Sequence, residues 1–250
     1  MPQLHVHPDI PALTTAVAQR WLTLAEQAIA ERGRFTVALS GGRTPRALYT
    51  LLASPTWRER MPWAQTELYL GDERCVPADH HESNARMVHE TLLNQLAQPP
   101  VFFPMVRHPE QPAQDAAHYA QLLRERLNEE QAEDQAYAPP CFDLVLLGMG
   151  ADGHFASLFP GTPAVEDRES LVLAVWVETL NAWRISLGRR VIAAARQRMV
   201  LVTGEDKRAT LDEILHNPLS SKPIARLQRQ AELEWHIDTA ASSNLPSAQA

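Results

Sequence analysis

The chain has 250 residues, 45% of them apolar and 21% charged, with 10 glycines and 19 prolines. Glycine stands at about half its usual ~7% share, which excludes a collagen-like repeat, a Gly/Ser linker and a low-complexity chain. Lys and Arg number 23 against 30 Asp and Glu, a net charge of −7, so neither nucleic acid nor an anionic membrane is an expected partner.

The amino-terminal stretch MPQLHVHPDIPALTT has no basic segment leading into an apolar one, so no signal peptide is expected. From Pro11 to Arg32, the residues Leu13, Val17, Trp21, Leu24 and Ala28 recur at steps of three and four. That spacing predicts a helix with one buried stripe, and Gly33 stands where a helix-ending glycine belongs. Phe35–Leu39 reads as a short buried strand. After a turn, Thr44 is placed to cap a helix with Pro45 at its first position, running to about Ala53. Glu67–Leu70 is a second core strand, followed by amphipathic helices over Ser83–Leu96 and Ala113–Leu127 and an exposed acidic loop over 129–137.

Strands then recur at Phe142–Leu147, Leu171–Val177 and Met199–Thr203, with helical segments near 189–197 and 206–216 and a last strand at Glu234–Ile237. Apolar strands alternating with helices predict one α/β domain over 1–240, a doubly wound, mostly parallel sheet with helices on both faces. The tail 241–250 has no periodicity and is expected to fray. The most apolar stretches, 142–149 and 171–177, fall far short of the ~20 residues that span a bilayer. Cys75 and Cys141 form no CxxC pair and suit a reducing cytosol, so a cytoplasmic protein is expected. His5 and His7 form an HxH and His80 and His81 are adjacent, but neither pair has a third partner at ligand spacing. Surface histidines, no metal and no cofactor are the expectation.

Such sheets bind ligands beyond the carboxyl ends of their strands. After Phe35–Leu39 comes Ser40-Gly41-Gly42-Arg43-Thr44, where glycines and a helix start suit a phosphate. After Glu67–Leu70 comes the charged run Gly71-Asp72-Glu73-Arg74, after Phe142–Leu147 the loop Gly148-Met149-Gly150-Ala151-Asp152-Gly153-His154, and after Met199–Thr203 the run Gly204-Glu205-Asp206-Lys207. Residues 148–153 match GxGxxG, but a dinucleotide fingerprint needs several helical turns directly behind it, and Pro160 and Gly161 forbid them. Ser40, Asp72 and His154 follow the chain order of an α/β hydrolase triad. A nucleophile elbow, however, wants glycine where Ala38 stands and a helix starting directly behind the serine. A sugar-phosphate enzyme without a covalent intermediate fits these loops better.

The motifs SGGRTP, GDERCVPADHHESN and GMGADGHFASLFPG, in this order and at these distances, closely resemble the 6-phosphogluconolactonases. These belong to a larger group that includes glucosamine-6-phosphate deaminase. The resemblance runs from about residue 10 to 240 and takes in Arg184, Lys207 and the closing EWHID. Deaminases typically carry DEY where this chain has Asp72-Glu73-Arg74, and a glutamate for ring opening where it has Phe159. The prolines that usually precede the downstream arginine in lactonases are replaced by Asn181-Ala182-Trp183.

The resemblance implies hydrolysis of 6-phospho-D-glucono-1,5-lactone by a monomer or weak homo-oligomer. It implies that Ser40, Gly41, Gly42 and Thr44 hold the phosphate near Arg74 and Lys207, with Asp72 also on the substrate. His154 would be the general base, Asp152 would orient either the imidazole or the water, and the glycine-loop N–H groups with Arg74 or Arg184 would face the oxyanion. The runner-up is a deaminase-type enzyme of the same group, and beyond it a sugar-phosphate-binding homologue without catalysis.

Overall fold

The computed structural model describes residues 3–127 and 138–242. The acidic stretch 129–137 lies outside them, as does the tail from 243, while Thr239–Ser242 form a short helix whose Ala241 and Ser242 are buried. Ten strands are present among the described residues: β1 (Gln3–His7), β2 (Phe35–Leu39), β3 (Thr66–Leu70), β4 (Asp72–Arg74), β5 (Val101–Phe102), β6 (Leu144–Gly148), β7 (Val172–Val177), β8 (Ala182–Leu187), β9 (Gln197–Val202) and β10 (Glu234–Asp238). Seven form one parallel sheet in the order β1-β10-β9-β6-β2-β3-β5. Every residue of β2 and β3 is buried, as parallel strands covered on both faces require.

The first helix, Ile10–Arg32, shows how local signals place these layers. Asp9 caps it by accepting the Ala12 N–H at 2.8 Å, and Gly33, at φ 75°, ends it by donating to the Ile29 carbonyl. Its stripe of Leu13, Val17, Trp21, Leu24 and Ala28 is buried, with Trp21 meeting Phe35 of β2 edge-on at 5.9 Å. Among the described residues no helix is long and apolar enough to cross a membrane.

Two expectations change, and the charged run behind β3 proves to hold a strand: Asp72–Arg74 is β4, with Asp72 and Glu73 buried. The apolar strand at Val172–Val177 does not join the parallel sheet, but pairs antiparallel with β8 in a second sheet ordered β4-β8-β7. Only Val172, Val175 and Val177 of β7 are buried and Trp176 is exposed, yet the run is as apolar as a strand of the parallel sheet, so composition does not tell the two apart. The expected helix Ser83–Leu96 stops at Thr91 and continues as a 3₁₀ turn over Leu93–Gln95.

The histidine pairs also change meaning. β1 lies parallel to β10, with His5 opposite His236 and Gln3 opposite Glu234. His5 therefore gains a carboxylate and a second imidazole from β10, whereas His80 and His81 group only with the adjacent Glu82 of their own segment.

Candidate active site

From β2 the chain builds outward through β3 to β5, then returns to place β6 on the opposite side of β2. That reversal opens a crevice between the carboxyl ends of β2 and β6, where open α/β sheets bind ligands. Ser40-Gly41-Gly42 and Gly148-Met149-Gly150 leave the sheet there side by side, and a Cβ added at Gly148 would stand 3.7 Å from Ser40 Oγ. Tyr49 locks the first turn: its hydroxyl accepts the Ser40 N–H at 3.0 Å and donates to the Ser40 carbonyl at 2.8 Å. Burial pushes this phenol's pKa up, which keeps its proton in place for that bond. At Gly41 a Cβ would fall 2.2 Å from Asn84 Oδ1, so only glycine lets the helix Asn84–Thr91 press on the loop.

The next wall comes from the small sheet. Arg74 of β4 stands opposite Arg184 of β8, and Asp72 opposite Ser186. Asp72 Oδ2 accepts from Ser157 Oγ at 2.7 Å and its carbonyl accepts from Asn84 Nδ2 at 2.9 Å. Glu73 points away from the cleft and holds its rim. It accepts from the backbone N–H groups of Arg74, Asn84 and Ala85 at 2.7–2.8 Å and from Ser83 Oγ at 3.1 Å, anchoring a helix start. Burial nevertheless raises the Glu73 carboxyl above its ordinary value, and those three N–H groups only partly offset it. Arg184 is shifted down, first by burial and then by Arg74.

The third wall is the loop after β6. His154 Nδ1 lies 2.6 Å from Asp152 Oδ1, which also accepts the His154 backbone N–H at 3.1 Å. Among the described residues nothing hydrogen-bonds Nε2, and His154 lines the cleft. Burial pushes the Asp152 carboxyl up, but the backbone N–H and the imidazole of His154 outweigh it and leave it below its ordinary value. Gly150 makes the geometry possible, because a Cβ there would sit 2.1 Å from His154 Nδ1 and 2.6 Å from Asp152 Oδ1. Phe159 backs the imidazole with ring centroids 4.1 Å apart, and the Arg184 guanidinium lies 5.8 Å from the same ring.

A cleft of about 270 Å³, the scale of one small ligand, thus gathers Ser40, Gly41, Gly42, Asp72, Arg74, His154, Arg184 and Lys207. Lys207 arrives on the turn Glu205–Lys207 with its ammonium 2.7 Å from Asp206 Oδ2. Two expected residues stand apart. Asp152 sits behind the imidazole rather than on the cleft wall. Thr44 does not cap its helix, which begins at Arg43 behind Gly42 (φ 103°); its buried hydroxyl lies 2.7 Å from that of Thr203 and ties the loops after β2 and β9 together. Asn84, Ala156 and Phe159 were not anticipated as site residues. Asn84 closes the long second motif behind the capping Ser83, and that place at a helix start is the signal for its position on the cleft wall.

A protein-family model described as glucosamine-6-phosphate isomerases/6-phosphogluconolactonase matches residues 8–235. A 6-phosphogluconolactonase from Synechocystis sp. is 38% identical over 226 residues, covering 89% of this chain and 90% of that protein. The structure of 6-phosphogluconolactonase from Trypanosoma brucei superposes with a TM-score of 0.85 at 29% identity, over 98% of this chain and 99% of that one. A monomeric glucosamine-6-phosphate deaminase superposes with a TM-score of 0.77 at 18% identity, over 96% and 99% of the two chains, so the fold is shared with deaminases too.

Proposed function

The chain belongs to the glucosamine-6-phosphate isomerase/6-phosphogluconolactonase family, and we propose that within it the chain is a lactonase that hydrolyses 6-phospho-D-glucono-1,5-lactone to 6-phosphogluconate. The observation that carries the mechanism is the 2.6 Å contact between Asp152 Oδ1 and His154 Nδ1. A carboxylate accepting from Nδ1–H holds the proton there and leaves Nε2 with a lone pair, the form a general base needs.

His154 Nε2 then takes a proton from water, and the hydroxide adds to the lactone carbonyl carbon. The tetrahedral intermediate collapses by breaking the bond to the ring oxygen. That oxygen leaves as the substrate's hydroxyl after taking the proton back from Nε2, and the new acid ionises. The phosphate lies on the Ser40-Gly41-Gly42 turn, at the N-terminus of the helix Arg43–Leu52, near Lys207. Arg74 and Arg184 hold the charge that develops on the carbonyl oxygen, or the phosphate beside it, with Asp72 fixing their side of the cleft. Each charge-assisted hydrogen bond is worth about 1.5–3 kcal/mol, so a few offset the chain's overall negative field.

Phe159 favours this reading over amine loss, since an apolar ring occupies the flank of His154 where ring opening would use a carboxylate. The free Cys75 and Cys141 suit a reducing cytoplasm. The test follows acid release from freshly made lactone, with spontaneous hydrolysis subtracted and glucosamine 6-phosphate as the control. Release of acid above background is expected; ammonia from the amino sugar without lactone hydrolysis would move the chain to the deaminase branch.

A further inference from the structure

Strand side chains alternate between faces, so Gln3, His5 and His7 of β1 share a face with Glu234, His236 and Asp238 of β10. Within that double row His236 Nε2 lies 3.0 Å from Glu234 Oε1, and His5 Nε2 lies 3.8 Å from the same oxygen. We propose that His5, Glu234 and His236 form a binding site for a divalent transition metal of the zinc class, at the outer edge of the parallel sheet and separate from the cleft.

Tetrahedral zinc with N and O ligands at about 2.0–2.2 Å sets its ligand atoms about 3.3 Å apart, between the two spacings seen. All three ligand atoms lie within 4.8 Å of one another. Two imidazoles and a carboxylate leave a fourth position for water, as in open zinc sites.

The surroundings are those of a metal site rather than of an isolated ion pair. Arg20 Nε holds the other carboxylate oxygen at 3.2 Å, which leaves Oε1 directed at the histidines. His7 Nε2 lies 3.1 Å from His236 Nδ1, and the two rings stack at 5.3 Å. When a metal replaces the proton on His236 Nε2, that proton moves to Nδ1 and is donated to His7, the outer hydrogen bond that metal-bound imidazoles usually make. Glu234 and His236 are buried, whereas the His5 side chain is 47% exposed, so the site is rigid on one side and open to solvent on the other.

The experiment uses untagged protein stripped with a chelator and then dialysed against Zn²⁺ or Co²⁺. About one equivalent should bind, giving the intense visible absorption of tetrahedral Co²⁺ and a Zn²⁺-dependent rise in Tm. His5→Ala removes an edge ligand without touching the core. It should weaken binding at least ~10-fold while lactonase activity is unchanged, and His7→Phe, which keeps the stacked ring, should weaken it by about 10–100-fold. The double change His80→Ala/His81→Ala should leave binding intact. No bound metal at micromolar Zn²⁺, binding that survives His5→Ala, or binding lost with the His80/His81 change would each overturn the assignment.

Discussion

Arg74 and Arg184 face each other directly across the antiparallel pair β4 and β8, and the Nε of each is buried without a hydrogen-bond partner. Opposed side chains on neighbouring strands lie on one face within reach of each other, and like charges so placed repel. Both side chains line the cleft with Asp72, so an anion bound there would meet two guanidinium groups. On the proposed function, the pair is costly to the free protein and would be offset by a phosphorylated or negatively charging ligand.

Arg184→Met should separate those two effects. Removing one of the facing charges is expected to stabilise the free protein by up to about 1 kcal/mol, which for a chain of this size raises Tm by about 2–4 °C. The same change should raise KM for the lactone and weaken inhibition by inorganic phosphate. Thermal denaturation with steady-state kinetics checks both; a lower Tm with unchanged KM would contradict the account.

His154→Ala should lower kcat by roughly 10²–10⁴-fold, the usual worth of a general base, with the fold and Tm little altered. The assay needs fresh lactone, because the uncatalysed reaction sets the floor. Near-native turnover in this variant would remove His154 from the mechanism.

Asp152→Asn probes the partner of the base and has a pH signature. An amide can present its N–H to Nδ1 and so favour the tautomer protonated on Nε2, the wrong one for a base; turnover should fall severely. The native carboxylate is held below its ordinary 3.8. A depressed acid contributes stability that is present above 3.8 and lost as the pH falls through the lower folded value. The Tm gap between native protein and Asp152→Asn should therefore be level from neutrality down to about pH 4 and close below it. A gap that widened on acidification would have the opposite sign and refute the assignment.

Gly150→Ala should displace the dyad without unfolding the chain. The new methyl would overlap His154 Nδ1 and Asp152 Oδ1, both ends of side chains that can move aside. A shift of about 1 Å at a catalytic group can cost ~10²-fold, so kcat should drop on that scale while circular dichroism stays native.

The helix Ile10–Arg32, the strands β2, β3 and β6 and the glycine loops behind them were legible because their signals are local: a stripe, an apolar run, a turn residue. The loop 148–154 was legible for the same reason, since Gly150, Asp152 and His154 meet within one turn. Which atom Asp152 serves was not, as that depends on how the loop curls. Gly188 had no evident task in the sequence, and its reason is a neighbour far along the chain: a Cβ there would lie 2.0 Å from the Ser170 carbonyl.

Sequence by itself determined the fold class and the order of the loops at the strand ends, because periodicity and turn chemistry act over a few residues. Tertiary structure alone decided what side chains meet across strands: Arg74 with Arg184, Thr44 with Thr203, His5 with Glu234 and His236. Those pairings follow from sheet order and register, which are set by the packing of the whole domain. The charged run Asp72-Glu73-Arg74 carries no apolar pattern that marks a strand, and only the sheet that buries Asp72 and Glu73 makes it one.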